Sequence, residues 1–337
     1  MKKMKVMKVF GPQDLRIVDA PMPEPGYGAV RIKVRASGIC GSDKGIWYVK
    51  EKRDSVAGHE AAGQVEKLGE GVSSLAVGDR VMVNNVGGCG ACPACRSGAF
   101  VLCTDRSASH DVNNGFGEYL VAPSRNCMRI LPGLDFIDGA LIMDNWGTPF
   151  GALRRGHIGL GMDVLVNGCG PIGQAAIALS KAMGAYVIAV DPITWRRDFA
   201  LRSGADAAIP PDELLDAAKK LTNGLGVQAV LECSGNGKAY ENCLKALRIG
   251  GNLVSIGEHA ELTLRPSENI IRRSLSMIGT WYSTLPQAGE VMQLALQGRI
   301  NVRSFLTHTL SLDEVPGKFG SIVNCDEGFL KCVIVFD

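Results

Sequence analysis

Residues 168–173 read Gly-Cys-Gly-Pro-Ile-Gly, a G-x-G-x-x-G turn between a strand-like run ending in VLVN and a segment with Ile172, Ala176, Leu179 and Met183 at helical spacing. Strand, glycine turn and helix in that order are the opening of a dinucleotide-binding unit. Gly168, Gly170 and Gly173 let the backbone approach a pyrophosphate. Pro171 and Ile172 start the helix whose N-terminal amides and dipole favour negative charge. Residues 186–190 form a second strand-like run that ends in Asp191, eighteen positions after Gly173. A carboxylate there accepts hydrogen bonds from ribose hydroxyls and repels an added phosphate, so NAD is expected over NADP. Arg196 and Arg197 keep NADP open; they either cap the adenosine side or face solvent. Strand and helix patterns then alternate through 207–209, 212–221, 228–232, 237–247, 252–256 and 276–279. That alternation predicts a doubly wound parallel sheet over residues 146–286.

The N-terminal part reads differently. Short β-branched runs at 6–10, 15–18, 30–35, 63–68 and 80–83 alternate with turn signals, and Pro21, Pro23, Pro25 and Gly26 make a stiff connector. This predicts a β-rich, barrel-like half with functional residues in its loops. The loop stretch 36–60 holds Cys40, Ser42, Asp43, His59 and Glu60. Thiolate and imidazole are the donors zinc prefers, and a catalytic zinc takes three protein ligands and keeps a fourth position open. A buried cysteine and an unrelated loop histidine fit the same stretch.

Residues 89–103 hold Cys89, Cys92, Cys95 and Cys103, with two, two and seven residues between them. Four thiolates in one lobe predict a closed, structural zinc site without a free coordination position. A C-x-x-C redox pair would not require Cys89 and Cys103 as well.

A length of 337 residues predicts two domains. A formal net charge of +2, without a basic run interleaved with aromatics, argues against nucleic acid and for a small-molecule partner. Lys2, Lys3, Lys5 and Lys8 could open a signal peptide, but Gly11, Pro12, Gln13 and Asp14 interrupt the apolar stretch that should follow, so a first strand with outward lysines is expected. No apolar run approaches the ~18 residues of a membrane span. Eleven cysteines, several in C-x-x-C spacing, suit metal ligation in a reducing compartment, so a cytoplasmic protein is expected.

Together, GICGSD (38–43), GHE (58–60), VGDRV (77–81), the four-cysteine lobe, FGEYLV (116–121), GCGPIG (168–173), ECSG (232–235) and IGT (278–280) resemble the zinc-dependent medium-chain dehydrogenase/reductase family along essentially the whole chain. The family includes alcohol, polyol, threonine and glucose dehydrogenases. The resemblance implies a GroES-like catalytic domain, residues 1–145 and 287–337, around a Rossmann NAD-binding domain, with the active site in a cleft and a homodimer or homotetramer as the assembly. It implies that Cys40 and His59 bind a catalytic zinc, that Asp43 orients His59, and that Glu60 lies beside the metal or ligates it. The further acidic ligand, counted back from Arg154 and Arg155, falls on Asp144 in MDNWG, where aspartate replaces the usual glutamate and Asn145 the usual proline. A turn or capping role for Asp144 stays open. The histidine that often ends a proton relay two residues after Asp43 is replaced by Gly45.

The expected activity is oxidation of a secondary alcohol on a polyol, sugar or related hydroxy compound, with two zinc ions per chain. Zinc would act as a Lewis acid on the substrate oxygen, Ser42 would accept the proton, and NAD would accept hydride. Trp47, Trp146 and Trp281 either line the cleft or pack in cores. The competing expectations are a zinc-free reductase that keeps only the structural zinc, encouraged by Asp144 and Gly45, and a non-catalytic NAD-binding or structural protein.

Overall fold

A computed structural model describes residues 2–105, 112, 114–258 and 261–337, the side chains of 53–55 excepted. The chain divides into two compact units: Met1–Asn145 with Ser283–Gln297 and Leu306–Asp337, and Trp146–Tyr282 with Gly298–Phe305.

The first unit opens on an antiparallel hairpin, Lys3–Gly11 with Asp14–Pro21. Lys3 and Lys5 point outward while Met4 and Val6 are buried, as the period of two along a strand requires, and further along both faces are covered, with Met7 and Val9 buried as well. The main sheet centres on Ala29–Ile39, which pairs antiparallel with Glu60–Leu68, Tyr119–Pro123 and Lys331–Val335. This strand runs four residues past the expected end at Arg35, because Ala36–Gly38 find partners in both the Glu60 strand and the C-terminal strand, and Ile39 in the latter. Val30, Ile32, Val34, Val65, Val81 and Leu120 fill one core. Met7, Phe116, Val315, Phe319 and Ile334 fill another, with Trp47 packed 5.7 Å from Phe319. Phe116 falls outside the strand expected at 116–121; its ring joins that core, and its carbonyl accepts the Met7 N–H at 2.8 Å.

In the second unit six parallel strands stand in the order Ala207–Ile209, Tyr186–Val190, Asp163–Asn167, Val227–Glu232, Leu247–Ser255, Ser276–Gly279. The chain reverses direction across the sheet between Asp163–Asn167 and Val227–Glu232, and ligands of such sheets bind at the carboxyl ends beside that reversal. Leu165, Ile188, Val190, Val230 and Leu253 form the core with Tyr240 and Leu244. No pattern in the sequence marks the return of Gly298–Phe305 to this unit. Two contacts account for it: Trp146 stacks on Phe305 at 5.3 Å, and its indole N–H donates to the Val302 carbonyl at 3.0 Å. Trp146 is therefore a core residue.

Candidate active site

Strand pairing sets the first half of the site. Cys40 follows the strand Ala29–Ile39, and His59 immediately precedes the strand Glu60–Leu68 that pairs with it. After Cys40 the chain makes a tight 3-10 turn, Gly41–Asp43, closed by Asp43 Oδ2, which accepts the Cys40 N–H at 2.9 Å. Asp43 Oδ1 lies 3.6 Å from His59 Nδ1, so one buried carboxylate addresses both the cysteine backbone and the histidine ring. Orienting a ligand histidine through its second nitrogen is how neighbouring carboxylates act at metal sites. Ser42 is exposed in the same turn.

Asp144 arrives from a five-residue π-turn, Ile142–Trp146, between the helices Phe136–Leu141 and Gly147–Arg155. Its Oδ2 lies 3.2 Å from His59 Nε2 and 4.0 Å from Cys40 Sγ. Ligand atoms of Cys40, His59, Glu60 and Asp144 all fall within 4.8 Å of one another. Bonds of about 2.0–2.3 Å to one tetrahedral ion place donors roughly 3.3–3.8 Å apart, so Cys40, His59 and Asp144 fit zinc with small adjustments. The donors also demand positive charge. Burial disfavours the imidazolium of His59, but Asp144, Cys40 and Asp43 together outweigh it and push the pKa up to about 12. Burial and the Asp144 carboxylate push the Cys40 thiol up. An ion that displaces both protons answers the same demand.

Glu60 has a second commitment. Its Oε1 accepts a 2.7 Å hydrogen bond from Lys331 Nζ on the C-terminal strand, Oε2 stands as close to the same nitrogen, and both side chains are buried. Lys331 also donates to the Ile39 carbonyl at 3.0 Å. Burial opposes its charge, but Glu60, Cys40 and Asp144 together outweigh burial and raise its pKa. Sequence reasoning passed over Lys331. The available signal was a lone lysine inside the otherwise apolar LKCVIVF, a pattern that calls for a buried carboxylate partner.

The four-cysteine lobe is compact. Cys89 and Cys95 sulfurs are 4.0 Å apart and those of Cys92 and Cys103 are 3.9 Å apart, close to the ~3.8 Å edge of a zinc–thiolate tetrahedron. Backbone N–H groups already point at sulfur: Cys92 donates to Cys89 Sγ at 3.4 Å and Cys89 to Cys103 Sγ at 3.3 Å. Hydrogen bonds from the lobe backbone lower the thiol pKa of Cys92, to about 6, and that of Cys103.

At the glycine turn the helix Pro171–Ala182 begins with proline at its first position, where a missing N–H is harmless. Gly173 has no room for a side chain, since a Cβ would stand 1.8 Å from the Gly168 carbonyl oxygen, whereas a Cβ on Gly170 would meet nothing within 4 Å. Close packing at Gly173 and open space at Gly170 are what a pyrophosphate cradle needs. Asp191 is buried and ties the turn to the next strand, accepting the Cys169 and Ile193 N–H groups at 2.8 Å each. Arg196 Nη1 stands 3.9 Å from Asp191 Oδ2, and Arg197 donates to the Asp191 carbonyl at 2.7 Å. A cavity of about 630 Å³ opens at the carboxyl ends of Leu247–Ser255 and Ser276–Gly279, lined by Ser255, Gly257, Glu258, Thr280 and the half-exposed Trp281.

Comparison with known proteins agrees along the chain. Residues 26–132 match the family model described as alcohol dehydrogenase GroES-like domain, and residues 171–297 match that of zinc-binding dehydrogenase. An L-threonine 3-dehydrogenase of Pyrococcus horikoshii is 33% identical over 326 residues, 91% of each chain. Among solved structures, rspB of E. coli CFT073, described as a short chain alcohol dehydrogenase complexed with NADH, superposes with a TM-score of 0.89 at 26% identity over 100% of both chains. A Sinorhizobium meliloti 1021 structure bound to NADP does so with a TM-score of 0.88 at 25% identity, over 100% of both.

Proposed function

The chain belongs to the zinc-type medium-chain alcohol dehydrogenase family, and on that premise we propose that it transfers hydride from the secondary alcohol of a polyol, sugar or related hydroxy compound to NAD. It is a zinc-dependent oxidoreductase of hydroxy compounds, and its likeness to a threonine dehydrogenase and to an NADH complex supports both the substrate class and the cofactor. The observation that carries the reading is the convergence of Cys40, His59 and Asp144 on one point.

Cys40, His59 and Asp144 hold the catalytic ion, while Lys331 holds Glu60 beside it. Zinc, when bound, supplies Lewis acidity toward the substrate oxygen and makes its hydroxyl more acidic. Asp43 keeps His59 in the tautomer that leaves Nε2 free for the metal. The Ser42 hydroxyl, exposed next to this centre, accepts the substrate proton and passes it to solvent, because Gly45 offers no group to continue a relay. Gly168, Gly170, Pro171, Ile172 and Gly173 cradle the pyrophosphate; Asp191, with Arg196 alongside, meets the adenosine ribose and favours NAD over NADP. Cys89, Cys92, Cys95 and Cys103 hold a second, structural ion. The proposal includes a homodimer or homotetramer in the cytoplasm; cysteines outside disulfides, as the described residues hold them, suit that compartment. Among the described residues no helix is long and apolar enough to cross a membrane.

The test is metal analysis joined to a substrate screen. Two zinc ions per chain are expected, with Cys40→Ser losing one ion and all turnover. Polyols, sugars and hydroxy acids presented with NAD or NADP, read by nicotinamide absorbance, identify the substrate class. A single ion in active wild type refutes the zinc mechanism.

A further inference from the structure

We propose that Ser283 is the positioning residue that lets an aspartate, with its short reach, complete the catalytic metal site. The inference rests on Asp144 being a ligand, as proposed above. An aspartate carboxylate stops one carbon–carbon bond, about 1.5 Å, short of a glutamate carboxylate, so the backbone must make up the difference. At Asp144 the backbone departs from α-helical geometry: Ile142–Trp146 is a π-turn. π-turns add a residue to one turn of helix and recur at functional sites. Helices also depart from regular geometry where a side chain inserts into their hydrogen-bond ladder.

Ser283 is such a side chain. Its hydroxyl donates to the carbonyl of Met143, the residue immediately before Asp144, and its Oγ lies 3.8 Å from Met143 Sδ. Ser283 and Met143 are both buried, so water does not compete for that carbonyl.

The serine is itself fixed from several directions. Its own carbonyl accepts a 3.3 Å hydrogen bond from Asn84 Nδ2, and Asn84 Oδ1 accepts the Val86 N–H at 2.9 Å. Asn126 Nδ2 donates to the carbonyls of Asn84 and Val86 at 2.8 and 2.9 Å. On the following side Thr284 and Gln287 form a reciprocal cap, at 3.0 and 3.3 Å, that starts the helix Leu285–Leu296. This buried network fixes the Met143 carbonyl, the π-turn carries the fixed point one residue on, and Asp144 Oδ2 then stands 3.2 Å from His59 Nε2. No member of the network is a metal ligand, which is why none draws notice as part of the site.

Zinc and cobalt(II) affinities of the full chain, measured by chelator competition, and the visible absorption of the cobalt form test the inference. Ser283→Ala should weaken the catalytic ion at least tenfold and change the cobalt spectrum, while the four-cysteine ion stays stoichiometric. The compensating pair Asp144→Glu/Ser283→Ala should regain most of that affinity, because the longer side chain no longer needs the π-turn. Wild-type affinity and spectrum in Ser283→Ala would overturn the inference. So would loss of both ions without recovery in the double variant, which marks a general structural role. Should Ser283→Ala not fold, Ser283→Cys keeps the size with a weaker donor and is read in the same way. Asp144→Ala separates the two claims: retention of the catalytic ion there removes the ligand assignment itself, whatever Ser283 does.

Discussion

Gly38 and Glu60 face each other across the antiparallel pair beside the candidate metal site, and a Cβ on Gly38 would stand 1.9 Å from Glu60 Oε2. The missing side chain is the space in which the carboxylate lies against Lys331. Gly38→Ala should therefore expel Glu60 from its pocket and leave the Lys331 ammonium buried without its partner. Breaking a buried ion pair in this way costs about 3–5 kcal/mol, and urea denaturation should register a loss of that size. A loss under about 1 kcal/mol would mean that the carboxylate has another low-energy position.

Lys331→Met removes the other partner and leaves the Glu60 carboxylate buried without its ammonium, with a similar expected loss of about 3–5 kcal/mol. Glu60→Gln added to Lys331→Met removes the stranded charge as well. The double variant should be more stable than Lys331→Met alone, with a coupling of roughly 2 kcal/mol between the sites. Simple additivity in that cycle would deny the pair any energetic linkage.

Gly45 is exposed, and a Cβ there would meet nothing within 4 Å, so a histidine side chain can be accommodated. If protons leave Ser42 directly to solvent, Gly45→His should change kcat by no more than about twofold from neutral to high pH. An acceleration on the order of tenfold confined to neutral pH would show instead that proton exit limits the wild-type enzyme.

Cys332 is buried in the C-terminal strand, and burial pushes its thiol from an ordinary 9.0 up to about 11. Between these values the unfolded chain has lost the proton and the folded chain has kept it. The contribution is thus complete below pH 9 and disappears as pH rises through 11, at up to about 1.4 kcal/mol per pH unit. Cys332→Ala should flatten the alkaline decline in stability by about that slope, measured by denaturant titration across the window. An unchanged slope would place the thiol in contact with water.

The amino-acid sequence alone determined the parts of this protein whose geometry is local. The turn from Gly168 to Gly173, the clustering of Cys89, Cys92, Cys95 and Cys103, and the nearness of Asp43 to Cys40 depend on spacings of a few residues, which backbone geometry turns directly into distance. Tertiary structure alone decided whether Asp144 reaches His59, what Glu60 pairs with, and what holds Met143. Lys331 lies 271 positions from Glu60 and Ser283 lies 140 from Met143. Contacts at such separations follow from the path of the chain through two folded units, and residue spacing carries no record of that path. The side chains involved are also ordinary in type: a lysine, a serine and a glycine acquire their roles here through burial, which removes water as a competing partner and makes each remaining polar contact count.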